Sequence, residues 1–164
     1  MAPKKPENKE DKKSSVNRRA TQRYEIIDSL EAGIVLKGSE VKSMRAGGVT
    51  LVDGFARIEN GQVFLWNVHI APYAMGSRFE ELEPTRKRKL LLKKREILKL
   101  SDKTTIKGLT LIPLEMYFNA RGRAKVKLAL AKGKTAPDKR DDIKKRDAKR
   151  EMQREFSGRR ERRR

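Results

Sequence analysis

Between Tyr24 and Ala131 the chain alternates apolar and polar residues in short runs, and outside those limits large apolar side chains become scarce. RAKVKLALA (123–131) alternates cleanly. Ala124, Val126, Leu128 and Leu130 fall on one side and Arg123, Lys125 and Lys127 on the other, the period of a strand with one buried face. LTLIPLEMYF (109–118) also alternates, with Ile112, Leu114, Met116 and Phe118 on one side; Pro113 has no amide hydrogen to give a ladder, which predicts an edge position or a bulge. FARIENGQVFLWNVHI (55–70) predicts a hairpin about Asn60–Gly61, residue types that accept the positive φ of a type I′ turn. YEIIDSLEAGIVL (24–36) reads as a strand with Gly33 as a bulge or bend, and VTLV (49–52) as another, ended by the turn pair Asp53–Gly54.

Two stretches follow a helical period. GSEVKSMRAGG (38–48) predicts a short helix with Ser39 as N-cap, Val41 and Met44 inward and Gly47 as the stop. RKRKLLLKKREILKL (86–100), after Pro84 and Thr85, predicts a longer basic helix. Its apolar stripe would be Leu90, Leu91, Ile97 and Leu98, with Arg86, Lys89 and Lys93 on another face. APYAMGSRFEELEPT between these elements reads as a long loop. The expected fold is therefore mainly β: about six strands closing into an OB-like antiparallel barrel, with two or three short flanking helices and basic disordered tails. Closure removes unpaired edges. A two-sheet sandwich carries the same alternation, so the pattern alone does not separate the two.

Composition changes the picture at the ends. Of 164 residues 36% are hydrophobic and 39% charged, and the net charge is +20. Nearly all of that excess lies in residues 1–19, 86–99 and 132–164. Clustered positive charge favours a polyanion, nucleic acid first, because each neutralised phosphate releases counterions. A membrane surface would need an apolar helix face beside the charge, which the tails lack. The same shifts set the domain limits: a disordered basic arm over 1–16, a barrel over 17–131 and a basic tail over 132–164. The chain has no cysteine, which excludes disulfides and thiolate metal sites and fits a cytoplasmic setting. The N-terminal lysines are followed by no apolar segment, so they do not read as a secretory signal.

Catalytic chemistry finds little footing. The single histidine, His69, sits in an apolar strand context and reads as structural or superficial. AKGKT (131–135) ends like a phosphate-binding loop, but the position of its first glycine holds Leu128. The pairs Asp141–Asp142 and Glu80–Glu81 lie on segments without a scaffold to preorganise them. No enzyme activity, cofactor or metal is expected. With one Trp and three Tyr, base stacking is not the expected main mode; recognition of the backbone and shape of a folded RNA is.

Residues 136–155 read as a helix with almost nothing to bury. Asp138 can N-cap, and Asp141–Lys145 and Asp142–Arg146 are pairs in the favourable order, each contributing about 0.2–0.5 kcal/mol. The apolar stripe is only Ala148, Met152 and Phe156. Such a segment is marginal alone in water. It is either disordered when free and helical on phosphates, or a solubilising tail that never orders.

NRRA (17–20), YEI (24–26), EAGIVLKGSEVKSMRAG (31–47), DGFARIENG (53–61), PTRKRKLLLKKREI (84–97), and AKGK followed by DKRDDIKKRD (131–147) together resemble the SmpB family of bacterial tmRNA-binding, or SsrA-binding, proteins. The resemblance implies an OB-like barrel and a role in trans-translation, the rescue of ribosomes stalled on messages without a stop codon. It implies that the barrel holds the tRNA-like domain of tmRNA near its elbow. It further implies that the tail enters the decoding centre and mRNA channel of the 70S ribosome and becomes helical there. Elongation factor Tu would be a partner only indirectly, through charged tmRNA. By the same resemblance Asn17, Glu31 and Leu91 match positions that affect tmRNA binding, although Leu91 alone reads equally as core. Arg18, Arg19, Lys89, Lys93, Lys125 and Lys127 are the accompanying RNA-binding candidates. Lys132, Lys134, Asp138, Lys139, Arg140, Ile143, Lys144 and Arg146 match the tail motif needed on the ribosome. Pro137 departs from relatives that carry a stacking histidine there.

Overall fold

The computed structural model describes residues 14–73, 83–106, 108–135, 140–141, 143–145 and 147–152. In chain order the elements are β1 (Ser15–Val16), α1 (Ala20–Arg23), β2 (Tyr24–Ile34), α2 (Gly38–Ala46), β3 (Val49–Thr50), β4 (Phe55–Glu59), β5 (Gln62–Trp66), β6 (His69–Ile70), β7 (Arg88–Leu91), α3 (Lys94–Thr104), β8 (Leu109–Phe118) and β9 (Ala124–Gly133). The fold is mainly β with short helices. Seven strands pair antiparallel in the order β1-β8-β4-β5-β7-β2-β9, and β9 pairs β8 as well. The two-residue strands β3 and β6 pair separately.

The hairpin forms where expected, with Asn60 and Gly61 at φ 49° and 70°. Val63, Leu65, Leu90, Leu111, Met116, Val126, Leu128 and Leu130 build the main core. The anticipated bulge at Pro113 is present, as a register shift between Pro113 and Glu115. It corrects the expected face of this strand. A bulge inserts one residue and reverses the inward–outward parity of the residues beyond it. Met116 therefore lies in the main core, while Ile112 joins a second cluster with Ala20, Ala129 and Ala131. Helix α1, which the pattern did not foretell, covers that cluster. In β2 the register shift is at Ile26–Asp28, not at Gly33.

Two boundaries also move. Ser15 and Val16, inside the expected arm, pair with β8, and β9 runs to Gly133, past the expected start of the tail. Helix α2 begins at Gly38 with Lys37 rather than Ser39 as N-cap, and Glu40 accepts the Lys37 N–H at 2.8 Å.

The largest correction concerns residues 86–93. They form strand β7 and a connection, and the helix starts only at Lys94. Arg88 and Leu90 point inward, Lys89 and Leu91 outward. The alternation was masked because one inward residue is an arginine. Arg88 is 1% exposed. Its Nε donates to Glu40 Oε1 at 2.8 Å, Nη1 to the Val68 carbonyl at 2.7 Å, and Nη2 to the Pro84 carbonyl at 2.8 Å. Arg86 Nε donates to the same Glu40 Oε1 at 2.9 Å. Burial pushes the Glu40 carboxyl up, but Arg86, the Lys37 amide and Arg88 outweigh it and hold it below the ordinary range. Its contribution to stability is thus present at neutral pH and lost as pH falls through that lowered value.

Removing one partner strands a buried charge, so Glu40→Ala is expected to cost about 3–5 kcal/mol in urea unfolding, whereas Glu40→Leu with Arg88→Met recovers most of it. A loss no larger than an exposed substitution gives, about 0.5 kcal/mol, would contradict this account.

Candidate nucleic-acid interface

Strand β2 brings the central residues together. After its bulge, Ala32 and Ile34 point to the core, so Glu31 and Gly33 face outward. Gly33 pairs Leu91 of β7 on one side and Lys125 of β9 on the other. A Cβ on Gly33 would stand 3.2 Å from the Leu91 Cβ. Glycine there lets Leu91 lie close across the neighbouring strand. Leu91 is 53% exposed, so it is a surface residue and not part of the core. Around it runs an open groove of ≈ 670 Å³, lined by Glu31, Gly33, Gln62, Lys89, Leu91, Lys93 and Lys125 among others.

Glu31 is not a loose acid in this basic surface. Lys125 Nζ lies 2.8 Å from Glu31 Oε1, and the Tyr117 hydroxyl donates to Glu31 Oε2. Lys125 first, and then Tyr117, hold the Glu31 carboxyl below its ordinary pKa. In return Glu31 pushes the Tyr117 phenol up to about 12. The three side chains form one polar cluster beside an exposed leucine. A carboxylate and a hydroxyl can meet ribose or base donors there, while Leu91 offers apolar contact. The sequence carries no signal for Tyr117 at this site, because its partner Glu31 lies 86 residues away.

The remaining candidates divide. Lys89, Lys93 and Lys127 are exposed, and Lys89 and Lys93 border the groove. Lys93 is the N-cap of α3, its N–H donating to Glu96 Oε2 at 2.7 Å. Asn17 is buried away from solvent: its Nδ2 donates to the carbonyls of Leu51 at 3.0 Å and Pro113 at 3.2 Å. It ties the N-terminal segment to the bulge, so any effect on RNA is by positioning. Arg18 and Arg19 beside it are exposed.

At the tail, Lys132 is exposed. Lys134 donates its backbone N–H to the Arg23 carbonyl at 2.9 Å and its Nζ to the Thr21 carbonyl at 2.9 Å. It bolts the exit of β9 to α1. Residues 140–141, 143–145 and 147–152 are helical, and all of them are exposed; these include Arg140, Ile143 and Lys144. Asp138, Lys139, Arg146 and Pro137, like Phe156 of the apolar stripe, lie outside the described residues.

Comparison with known proteins agrees along most of the chain. The profile of the family described as SmpB protein matches residues 14–158. The SsrA-binding protein of Desulforamulus reducens is 58% identical over 138 residues, 84% of this chain and 85% of its own. That of Desulforudis audaxviator is 58% identical over 142 residues, 87% of this chain and 92% of its own. A solved chain described as "tmRNA-SmpB: a journey to the center of the bacterial ribosome" superposes with a TM-score of 0.64 at 55% identity, covering 75% of this chain and 85% of that one.

The Glu31–Tyr117 bond has a spectroscopic consequence. In an ultraviolet titration of tyrosine ionisation, one of the three tyrosines should titrate near 12, and Glu31→Gln should bring it back toward about 10. Because the folded value is raised, this contribution to stability is complete below the unfolded value and disappears as pH rises through about 12. A wild-type titration in which no tyrosine ionises near 12 would refute the contact.

Proposed function

The chain belongs to the SmpB protein family, and on that premise we propose that it binds the tRNA-like domain of tmRNA and delivers it to stalled ribosomes for trans-translation. The family match across barrel-side residues and tail together is the observation that carries this reading.

The site geometry suggests how labour is divided. The Glu31–Tyr117–Lys125 cluster and Leu91 form the part that recognises the shape of a folded RNA, with Lys89, Lys93 and Lys127 supplying phosphate contacts. Helix residues such as Arg140 and Lys144 are exposed and have the charge to dock on ribosomal RNA in the decoding centre and mRNA channel. Lys134, anchored to α1, sets the direction in which that tail leaves. The chain of pairings from β8 through β4, β5, β7, β2 and β9 back to β8 supports a closed OB-like barrel. Closure would hold Leu91 and Glu31 on one rigid outer wall. The role is that of a binding protein rather than an enzyme, acting in the cytoplasm, with elongation factor Tu engaged only through charged tmRNA. No helix among the described residues is long and apolar enough to cross a membrane.

Two variants test the division. Truncation after Thr135 preserves β9 and the Lys134 anchor; gel shifts should show tmRNA affinity within about twofold of the full chain, while peptide tagging on stalled ribosomes is abolished. Leu91→Ala, at an exposed position, should change the unfolding free energy by less than about 0.5 kcal/mol. It should nonetheless weaken tmRNA binding about tenfold, as loss of one good apolar contact does. Full tmRNA affinity in the Leu91 variant, or its loss in the truncation, would reverse the assignment.

A further inference from the structure

Beyond the Glu31–Leu91 groove, the outward faces of β4 and β5 carry a second arrangement. Phe55 and Trp66 are cross-strand partners, as are Arg57 and Phe64, so three aromatic rings and a guanidinium share one side of the hairpin. Ala56, Val63 and Leu65 point the other way, into the core. Phe64 is in turn paired with Lys89 of β7. All three rings are half-buried, with part of each reaching solvent.

Cations lie over those rings. Lys87 Nζ is 5.1 Å from the centre of Phe64 and 5.2 Å from that of Trp66, and Arg57 stands 5.1 Å from Phe55. Lys87 also reaches Glu59 Oε2 at 3.4 Å. Its side chain is about half exposed and flexible, so the ammonium can leave the rings for a stronger anion.

We propose that this ledge binds unpaired RNA, with bases stacked on Phe64 and Trp66 and phosphates met by Arg57, Lys87 and Lys89. Charge complementarity selects the occupant: three cations face one carboxylate, Glu59. Ring faces select further. Every base offers a π-face, and stacking on aromatic side chains is tolerant of sequence. A duplex hides those faces inside its own stack. An acidic peptide would satisfy the cations but leave the rings without planar partners. The low aromatic content of the chain argues against stacking as the main mode, yet content says nothing about clustering, and the hairpin register gathers three rings on one side. The ledge borders the groove at Lys89, but Phe64, Trp66 and Lys87 are not part of the groove lining, so stacking on these rings does not depend on which folded RNA the groove takes.

Trp66 is the only tryptophan in the chain, so its emission reports on the ledge. The full-length protein is titrated with a fluorescently labelled single-stranded oligouridylate and with a labelled RNA duplex of equal length, following both anisotropy and Trp66 emission. The oligouridylate is expected to quench Trp66 as it binds, and the duplex to bind without quenching. Phe64→Leu, which keeps an apolar body, and Lys87→Gln, at an exposed position, should each weaken oligouridylate binding about tenfold while leaving duplex binding unchanged. Circular dichroism checks that both variants remain folded. Binding of the oligouridylate without quenching, equal quenching by the duplex, or unchanged binding by both variants overturns the proposal. So does a glutamate-rich peptide that competes as well as the oligouridylate. Gel shifts of the tRNA-like domain with Leu91→Ala are run in parallel, so failure of the ledge and failure of the groove are read separately.

Discussion

A single arginine inside the sheet organises much of this molecule. Arg88 carries a permanent charge into a place where solvent is excluded, and such a group is tolerable only if its donors are met. Glu40 from α2 and the carbonyls of Val68 and Pro84 meet them. The requirement couples elements far apart in sequence: the second helix, the end of the β4–β5 hairpin and the connection into β7 all close on one guanidinium. Apolar contact would allow these parts to slide. A forked donor with fixed directions does not, and it thereby sets the register of β7.

That register decides the surface. With Arg88 and Leu90 committed to the interior, Lys89 and Leu91 face water. Leu91 then lies against Gly33, next to the Glu31–Tyr117–Lys125 cluster. Leu91 is one of several large apolar side chains that reach solvent, and what sets it apart is its place between a glycine and a charged cluster on adjoining strands. The same outer wall continues across the hairpin to Phe64 and Trp66. Groove and ledge are therefore consequences of one strand alignment.

The two bulges divide the interior in a similar way. Each adds a residue to a strand and exchanges its faces. In β8 this sends Met116 to the main core and Ile112 to the smaller cluster under α1. That cluster gives α1 something to rest on, and α1 gives Lys134 its carbonyl partners. A cationic tail of little apolar content thus leaves the sheet from a defined point, even though its own helix buries nothing among the described residues.

Much of this was legible along the chain. The alternation of Val126, Leu128 and Leu130, the Asn60–Gly61 turn, the bulge at Pro113 and the segregation of charge into the ends are local properties, set by a few neighbouring residues, and a reader of the sequence can find them. Resemblance to family motifs made Glu31 and Leu91 candidates, and the fold brings them to one groove. Other features depend on partners distant in sequence. Arg88 looks like one more cation in a basic run until Glu40, 48 residues earlier, is brought beside it. Tyr117 has no evident role until Glu31 meets it across 86 residues. Asn17 reads as an RNA ligand until its amide is found on Leu51 and Pro113. Spacing and composition report what a residue could do, but whether a charge is buried, paired or free depends on which strands lie side by side, and only the folded chain decides that.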